Sequence, residues 1–295
     1  MKQRNDAPAV NALLARRLVA DQFPQWADLK VRPVDEDGHD NSTFRLGDYL
    51  SVRLPGRNLD ADHIAIEHKW LPRLAPHLPL PIPLPVGMGM PGLGYGFPWL
   101  VNKWIPGYNS SPGLIADLTE FARDLAGFLN ALMAIDVTGA PRPGRITYRR
   151  GCDPFFYDGD VRRCLGKLGN KIDTRAATAV WEAALDAKYD GLPVWFHGDV
   201  AANNLLVDDT GRLCGVIDFG QMAAGDPSCD VTIAWTLFTG SSREVFRSEL
   251  AVDEGTWARG RGWGIWKALL MMERRATLPG GSDPERIARD IMAEA

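Results

Sequence analysis

The sequence predicts an α+β protein in two parts: an antiparallel sheet with helices over residues 1–106, then a mainly helical part over residues 107–295. Short strand-like runs bounded by turn residues fill the first part, at Leu29 to Val34, Thr43 to Leu46, Tyr49 to Leu54 and Pro98 to Ile105. After Pro106-Gly107 the apolar residues recur at helical spacing, first at Leu118, Phe121, Leu125, Phe128, Leu129 and Leu132. One stretch departs from that pattern. Trp195 to Asp230 holds two short apolar runs, Leu205 to Val207 and Leu213 to Ile217, joined by the turn-forming Asp208-Asp209-Thr210-Gly211-Arg212.

In chain order, Ala7 to Ala20 reads as a helix with a stripe at Val10, Leu13, Leu14 and Leu18, closed before Pro24. Residues 35–41 form a turn cluster, and Gly47-Asp48 is a tight turn between two strands. Asp60 to Leu74 is a helix with Ile64, Leu71 and Leu74 on one side and Glu67 on the neighbouring face. Leu78 to Pro85, with proline at every second position, is an extended connector because proline removes the donor and the dihedral freedom a helix needs. Gly87-x-Gly89-x-x-Gly92 precedes a strand and not a helix, so it reads as a glycine-rich hairpin loop and not a dinucleotide site. Helices are expected over Leu114 to Ile135, Asp153 to Leu168, Thr174 to Ala187, from Cys229 to Phe238, and over Asp253 to Arg275. A further helix should start near Ser282-Asp283-Pro284-Glu285.

The bulk numbers exclude several classes. The 295 residues are 45% hydrophobic and 24% charged, with net charge −4 and a pI near 5.8, which suits a soluble protein and argues against a general nucleic-acid binder. No run reaches the roughly 18 apolar residues of a membrane span. Arg16 and Arg17 interrupt any apolar core near the start, so no secretory signal and a cytoplasmic location are expected. Cys152, Cys164, Cys214 and Cys229 show no zinc spacing and read as reduced thiols.

The chemistry concentrates in Trp195 to Asp230. His197-x-Asp199 with Asn204 five positions after the aspartate has the spacing in which the aspartate accepts a hydroxyl proton and the asparagine oxygen ligates Mg²⁺ during phosphoryl transfer. Asp218-Phe219-Gly220 follows, and its aspartate is the second candidate ligand. Hard oxygen donors without a His/Cys cluster suit Mg²⁺ and not zinc. His197 is expected to be hydrogen-bonded into the loop scaffold.

On FHGDVAANNLL, VIDFG and GDPSCD, with YLSVRLP, IEHKWLPRL and LVNKWIPG upstream, the chain resembles the aminoglycoside phosphotransferase family, a branch of the protein-kinase-like fold. The resemblance implies a two-lobed kinase fold that takes ATP or GTP with Mg²⁺ and phosphorylates a small-molecule hydroxyl. It makes Asp199 the catalytic base, Asn204 and Asp218 the metal ligands, and Asp230 a brace for the catalytic loop. Two departures stand out. Kinases hold the phosphates with a strand lysine paired to a helix glutamate, whereas here the matching pair is Arg53 and Glu67; guanidinium can also hold phosphate oxygens. The segment Gly38-His39-Asp40-Asn41-Ser42-Thr43 at the phosphate-loop position has one glycine, so backbone N–H groups with Ser42 or Thr43 are expected to face the phosphates. Adenine is expected against the backbone near Lys103, Trp104 and Ile105.

The acceptor side rests on two groups of acids and aromatics. One is Asp153 and Asp158 with their neighbouring aromatics, and the other is Glu254 and Glu273 with Trp257, Trp263 and Trp266. Acids would bind ammonium groups and aromatic faces would pack on sugar rings. The expectation is an aminoglycoside kinase conferring antibiotic resistance. The alternatives are a kinase of a macrolide or of a metabolite such as choline, homoserine or a sugar, or a nucleotide- or ligand-binding protein without catalysis. A protein kinase is disfavoured, because Gly225-Asp226-Pro227 follows Gly220 too closely for an activation loop.

Overall fold

The computed structural model describes residues 10–34, 41–56, 58–275 and 282–294. They fall into two packed units: the described residues up to Pro76 together with Pro81–Pro106, and His77–Leu80 together with Gly107 onward.

In the first unit, helix α1 (Ala12–Gln22) starts where the Asn11 side chain accepts the Leu14 N–H at 2.9 Å. Its buried face is Leu14, Ala15, Leu18 and Val19; Leu13, expected on that stripe, is exposed, one helical step outside it. Strands β1 (Val31–Pro33), β2 (Asn41–Leu46) and β3 (Leu50–Pro55) follow. Gly38, His39 and Asp40 of the expected phosphate loop lie outside the described residues. The β2–β3 turn places Gly47 at φ +60°, the left-handed region that glycine enters without steric cost. Helix α2 (Asn58–Leu74) buries Ile64, Glu67, Leu71 and Leu74, and carries Pro72 inside its last turn. Strands β4 (Leu84–Gly89) and β5 (Trp99–Lys103) complete an antiparallel sheet of order β1-β2-β3-β5-β4. Phe44, Leu46, Val52, Leu54, Trp99 and Val101 form its core with α1. Gly87 and Gly89 are residues of β4, not of the hairpin loop expected for them. A Cβ on Gly89 would stand 2.0 Å from the Trp99 indole, so the buried ring packs directly on bare backbone.

The second unit begins with β6 (Tyr108–Asn109) and α3 (Leu118–Met133). That helix starts four residues after Leu114 because the Asp117 carboxylate caps the Thr119 and Glu120 N–H groups. The helix expected from Asp153 is divided. A 3₁₀ turn, Pro154–Tyr157, is capped by Asp153, and α4 (Asp158–Leu168) follows it. Next come α5 (Thr174–Asp186), β7 (Val194–Phe196), β8 (Leu205–Val207), β9 (Leu213–Val216) and β10 (Ala223–Gly225). β6, β8 and β9 form one antiparallel sheet, and β7 pairs with β10 in another. The helix expected from Cys229 is a 3₁₀ turn, Pro227–Thr232, that runs into the single turn α6 (Ile233–Thr236). Helix α7 (Gly240–Glu249) was not anticipated, since it buries only Ser242 and Phe246 and shows no apolar stripe. Helices α8 (Glu254–Arg274) and α9 (Pro284–Ala293) close the unit.

Helix α8 is packed on α4, α5, α9 and the Pro227–Thr232 turn. Its three glycines make those approaches possible. A Cβ on Gly260 would meet Val231 at 2.7 Å, one on Gly262 the Ala184 Cβ at 2.4 Å, and one on Gly264 the Ile291 Cδ1 at 2.7 Å. Their cost in helix propensity is offset by contact that no larger residue permits. Gly262→Ala is therefore expected to destabilise the fold by about 1–3 kcal/mol, read in thermal or urea unfolding. Gly166→Ala in α4, where nothing lies within 4 Å of the new methyl, should leave stability unchanged or raise it by up to about 1 kcal/mol. Equal midpoints for the two variants would refute the close approach of α8 to α5.

Candidate active site

The loop that carries Asp199 is fixed by backbone bonds to one buried acid. Asp230, on the Pro227–Thr232 turn, accepts the His197 N–H at 2.7 Å and the Gly198 N–H at 2.8 Å. Burial pushes the Asp230 carboxyl pKa up, and the nearby His197 and the two N–H donors oppose that shift. Gly198 has φ +91°, and a Cβ there would fall 2.6 Å from the Gln221 carbonyl oxygen. That position therefore needs glycine both for its dihedral and for the close approach.

His197 has its protonation assigned by its neighbours. Its Nδ1 accepts the Asp199 N–H at 3.1 Å, so the proton is on Nε2, which donates to the Ile217 carbonyl at 2.9 Å. The ring, tilted at 56° against the buried Phe219 with centroids 4.5 Å apart, ties the loop before β8 to the end of β9. This is the scaffold role expected of it.

Hairpin β8–β9 sets the other two side chains. Leu205 pairs with Val216, and the Ile217 N–H donates to the Asn204 carbonyl at 2.9 Å. Asn204 therefore enters the hairpin at the end where Asp218 leaves it. The Asn204 amide nitrogen donates to the Asp199 carbonyl at 2.9 Å and faces its carboxylate at 3.5 Å, while Oδ1 accepts from Asn203 at 3.1 Å. Asp218 is exposed and sits at φ +64°, a conformation that aspartate tolerates better than most side chains.

These donors fit a hard divalent cation. Hydrogen bonds turn the Asn204 amide so that its oxygen, not its nitrogen, points away from the Asp199 carbonyl. The Asn203 Oδ1 beside it is buried with no hydrogen-bond partner. Among the described residues no three His, Cys, Asp or Glu side chains group as a metal cage.

The model of the phosphotransferase enzyme family matches residues 30–263. The chain belongs to that family. Among solved structures, this phosphotransferase is similar to the GDP and kanamycin complex of APH(2")-IIIa, with TM-score 0.69 and 18% identity over 96% of this chain and 98% of that one. The GDP complex of wild-type aminoglycoside 2'-phosphotransferase-IIIa gives TM-score 0.70 at 18% identity, over 97% and 99%. Macrolide 2'-phosphotransferase MphH from Brachybacterium faecium gives 0.57 at 21%, over 94% and 97%. The two-lobed, kinase-like α+β fold is therefore shared with the aminoglycoside and macrolide phosphotransferases. A curated relative, the uncharacterized protein YcbJ of Bacillus subtilis (strain 168), is 27% identical over 124 residues, 40% of this chain and 39% of that protein.

In its first unit the phosphotransferase holds Arg53, on β3, against Glu67, on α2. Arg53 Nη1 lies 2.6 Å from both Glu67 oxygens, and the side chains are 13% and 1% exposed. Thr43 stands opposite Arg53 across β2–β3, one residue from Ser42. Lys103 ends β5 and is exposed. The Trp104 N–H donates to the Tyr49 carbonyl at 2.8 Å, and the Arg45 guanidinium lies 4.0 Å from its ring centre. That amide is already satisfied by the neighbouring strand, and Lys103 is paired on both sides, with Leu50 and Leu84.

The acids expected to meet the acceptor all have basic or backbone partners. Asp153 accepts the Phe155 N–H at 2.9 Å and lies 3.2 Å from Lys188 Nζ. Asp158 holds Arg162 at 3.0 Å and the Trp181 indole at 2.8 Å. Glu254 pairs with Arg247 at 2.7 Å. Glu273 is clamped by Arg163 and by Lys167 at 2.5 Å, with the Cys164 thiol at 3.3 Å; hydrogen bonds from Lys167, Arg163 and Cys164 push its pKa down to about 2. Trp263 donates to Ser228 Oγ at 3.2 Å and, with Trp266, Arg150, Thr232 and Lys267, lines a pocket that includes Asp199.

Lys267 is the residue that sequence reasoning missed. Its ammonium lies 3.9 Å from Asp199 Oδ1. Burial lowers its pKa, and Asp199 opposes that shift. The signal was present: Lys267 is four residues after Trp263, so any face of α8 that brings Trp263 to the site brings this lysine too.

Proposed function

We propose that the protein transfers the γ-phosphate of ATP or GTP to a hydroxyl group of a small molecule, with Asp199 accepting the hydroxyl proton. The observation that carries this reading is the hairpin end that brings Asn204 and Asp218 out together, with Asn204 bonded back to Asp199. In a member of this family, that arrangement supplies a base beside two oxygen donors for a cation. Asn204 Oδ1 and the Asp218 carboxylate would hold Mg²⁺. When bound, Mg²⁺ offsets the phosphate charge as the leaving oxygen develops it. His197 and Asp230 hold the Asp199 backbone so that the carboxylate needs little reorganisation. Arg53, oriented by Glu67, is proposed to hold the α- and β-phosphates.

The fold neighbours include a kanamycin complex and a macrolide phosphotransferase, which makes an antibiotic hydroxyl the acceptor suggested by analogy. The charges around Asp199 bear on that choice below. The test of the transfer itself is incubation of the purified chain with ATP or GTP and Mg²⁺. A panel of aminoglycosides, macrolides and small alcohols would serve as acceptors, read by mass for a phosphate gain. No gain with any acceptor and no nucleotide consumption would retire the reading in favour of nucleotide binding without catalysis.

Arg53→Ala is expected to raise the nucleotide KM by about 10- to 100-fold, the loss of a charge-assisted hydrogen bond of about 1.5–3 kcal/mol. Steady-state kinetics at saturating acceptor would check it. An unaltered KM would place Arg53 outside the phosphate site.

A further inference from the structure

The pocket beside Asp199 is charged opposite to what a polycationic acceptor needs. Its charged lining is Arg150, Lys267 and Asp199 itself, two cations to one anion. Trp266 adds an indole N–H that is buried and has no hydrogen-bond partner, on a side chain 8% exposed. Thr232 adds a hydroxyl. Arg150, Lys267 and the Trp266 indole can only donate, and a site rich in donors is complementary to an oxyanion.

The two cations are not incidental surface residues. Lys267 is on the packed helix α8, its side chain 18% exposed. Arg150 ends a loop pinned at both ends to β10 and the residue after it. The Ala224 N–H donates to the Pro141 carbonyl at 2.9 Å, and the Asp226 N–H to the Gly151 carbonyl at 3.3 Å. Within that loop Thr147 Oγ1 donates to the Arg150 carbonyl at 2.8 Å. Among the described residues no carboxylate lies within ion-pair distance of Arg150; its guanidinium faces the rings of Tyr148 and Trp266 at 5.9 and 6.0 Å. Among the described residues Asp199 is the one acid within ion-pair distance of Lys267, at 3.9 Å, a separation longer than a hydrogen bond. The acids on nearby elements give no relief. Glu273 is neutralised by Arg163 and Lys167, and Asp230 is spent on two backbone N–H groups.

We propose that the acceptor is a small anionic hydroxyl compound, a hydroxycarboxylate in its simplest form, whose carboxylate is held by Arg150 and Lys267 while its hydroxyl meets Asp199. This rests on the transfer reading given above. In the step, the hydroxyl oxygen bonds to the γ-phosphorus as the bond from that phosphorus to the bridging oxygen breaks. The hydroxyl proton passes to the Asp199 carboxylate, and the nucleoside diphosphate leaves. Lys267 would hold the acceptor carboxylate in place beside Asp199.

The experiment compares acceptors that differ in charge on one skeleton, with MgATP and the full chain: glycerate against glycerol, gluconate against glucose, with kanamycin and choline as cations. The acids are expected to gain phosphate with kcat/KM at least about tenfold above their neutral counterparts, and the cations to gain least. Arg150→Gln and Lys267→Gln should each raise the KM for the acid about tenfold, with the nucleotide KM unchanged and the melting temperature within the wild-type range. Faster turnover of kanamycin than of any acid would overturn the proposal. So would a rise in nucleotide KM alone in the two variants, since the cations would then serve the transferred phosphate. If no acceptor gains phosphate, calorimetry of glycerate and gluconate with the MgADP-loaded protein decides. Binding of either that Lys267→Gln abolishes upholds the anion site and sinks the transfer reading, whereas absence of binding sinks the anion site itself.

Discussion

Asp199→Asn is expected to lower kcat by about 10²- to 10⁴-fold, the usual contribution of a positioned general base. The substitution is nearly isosteric and spares what holds the loop. The Asp199 N–H still donates to His197 Nδ1, and its carbonyl still accepts from Asn204. Only the group able to take the hydroxyl proton is lost. Nucleotide affinity and the melting temperature should therefore stay close to wild type, which separates this effect from misfolding. The change also removes the carboxylate 3.9 Å from Lys267, whose pKa burial already lowers. The lysine should then lose its proton at a lower pH than in the wild type. Rate measurements on an acceptor that gains phosphate, with nucleotide titration and thermal melts on the same preparation, check the expectations on rate, affinity and stability. An unaltered kcat would remove Asp199 from the role of base.

The parts of the site that could be read from sequence are those closed by short-range geometry. His197, Asp199 and Asn204 share one loop, and a short hairpin returns the chain to Asp218, so spacing alone brings them together. Helices were legible as periodic stripes, but their ends were not, because single caps such as Asn11 and Asp117 decide them. Helix α7 was missed because it buries too little to leave a stripe. The glycines of α8 were visible as a propensity cost, while their use depends on Val231, Ala184 and Ile291, which come from three other elements. The pocket beside Asp199 was the least legible. The sequence shows that Glu273 and Asp153 are acids; it does not show that Arg163, Lys167 and Lys188 neutralise them. The acids suggested ammonium groups on the acceptor, yet the charge that counts is local, and beside Asp199 the cations Arg150 and Lys267 outnumber it.

Asp226→Ala is expected to cost about 3–5 kcal/mol, the penalty for leaving a buried charge without its partner. Asp226 and Arg259 are 4% and 3% exposed, joined at 2.7 and 3.2 Å, and the other partners of Arg259 are the neutral oxygens of Ala187 and Thr256. Without the carboxylate a guanidinium remains in the core with no counter-ion. The melting midpoint should fall by roughly 6–20 °C. Joint replacement, Asp226→Leu with Arg259→Met, should recover much of that loss, because it removes both desolvated charges together. Asp226 also caps the turn that carries Asp230, through the Ser228 N–H at 3.0 Å and hydroxyl at 2.8 Å. Loosening that turn releases the acid that holds the His197 and Gly198 N–H groups. The double variant should therefore regain stability but not full kcat, since leucine cannot cap the turn. If it regained both, the turn would be held by packing alone, and the Asp226 cap would have no part in placing Asp199.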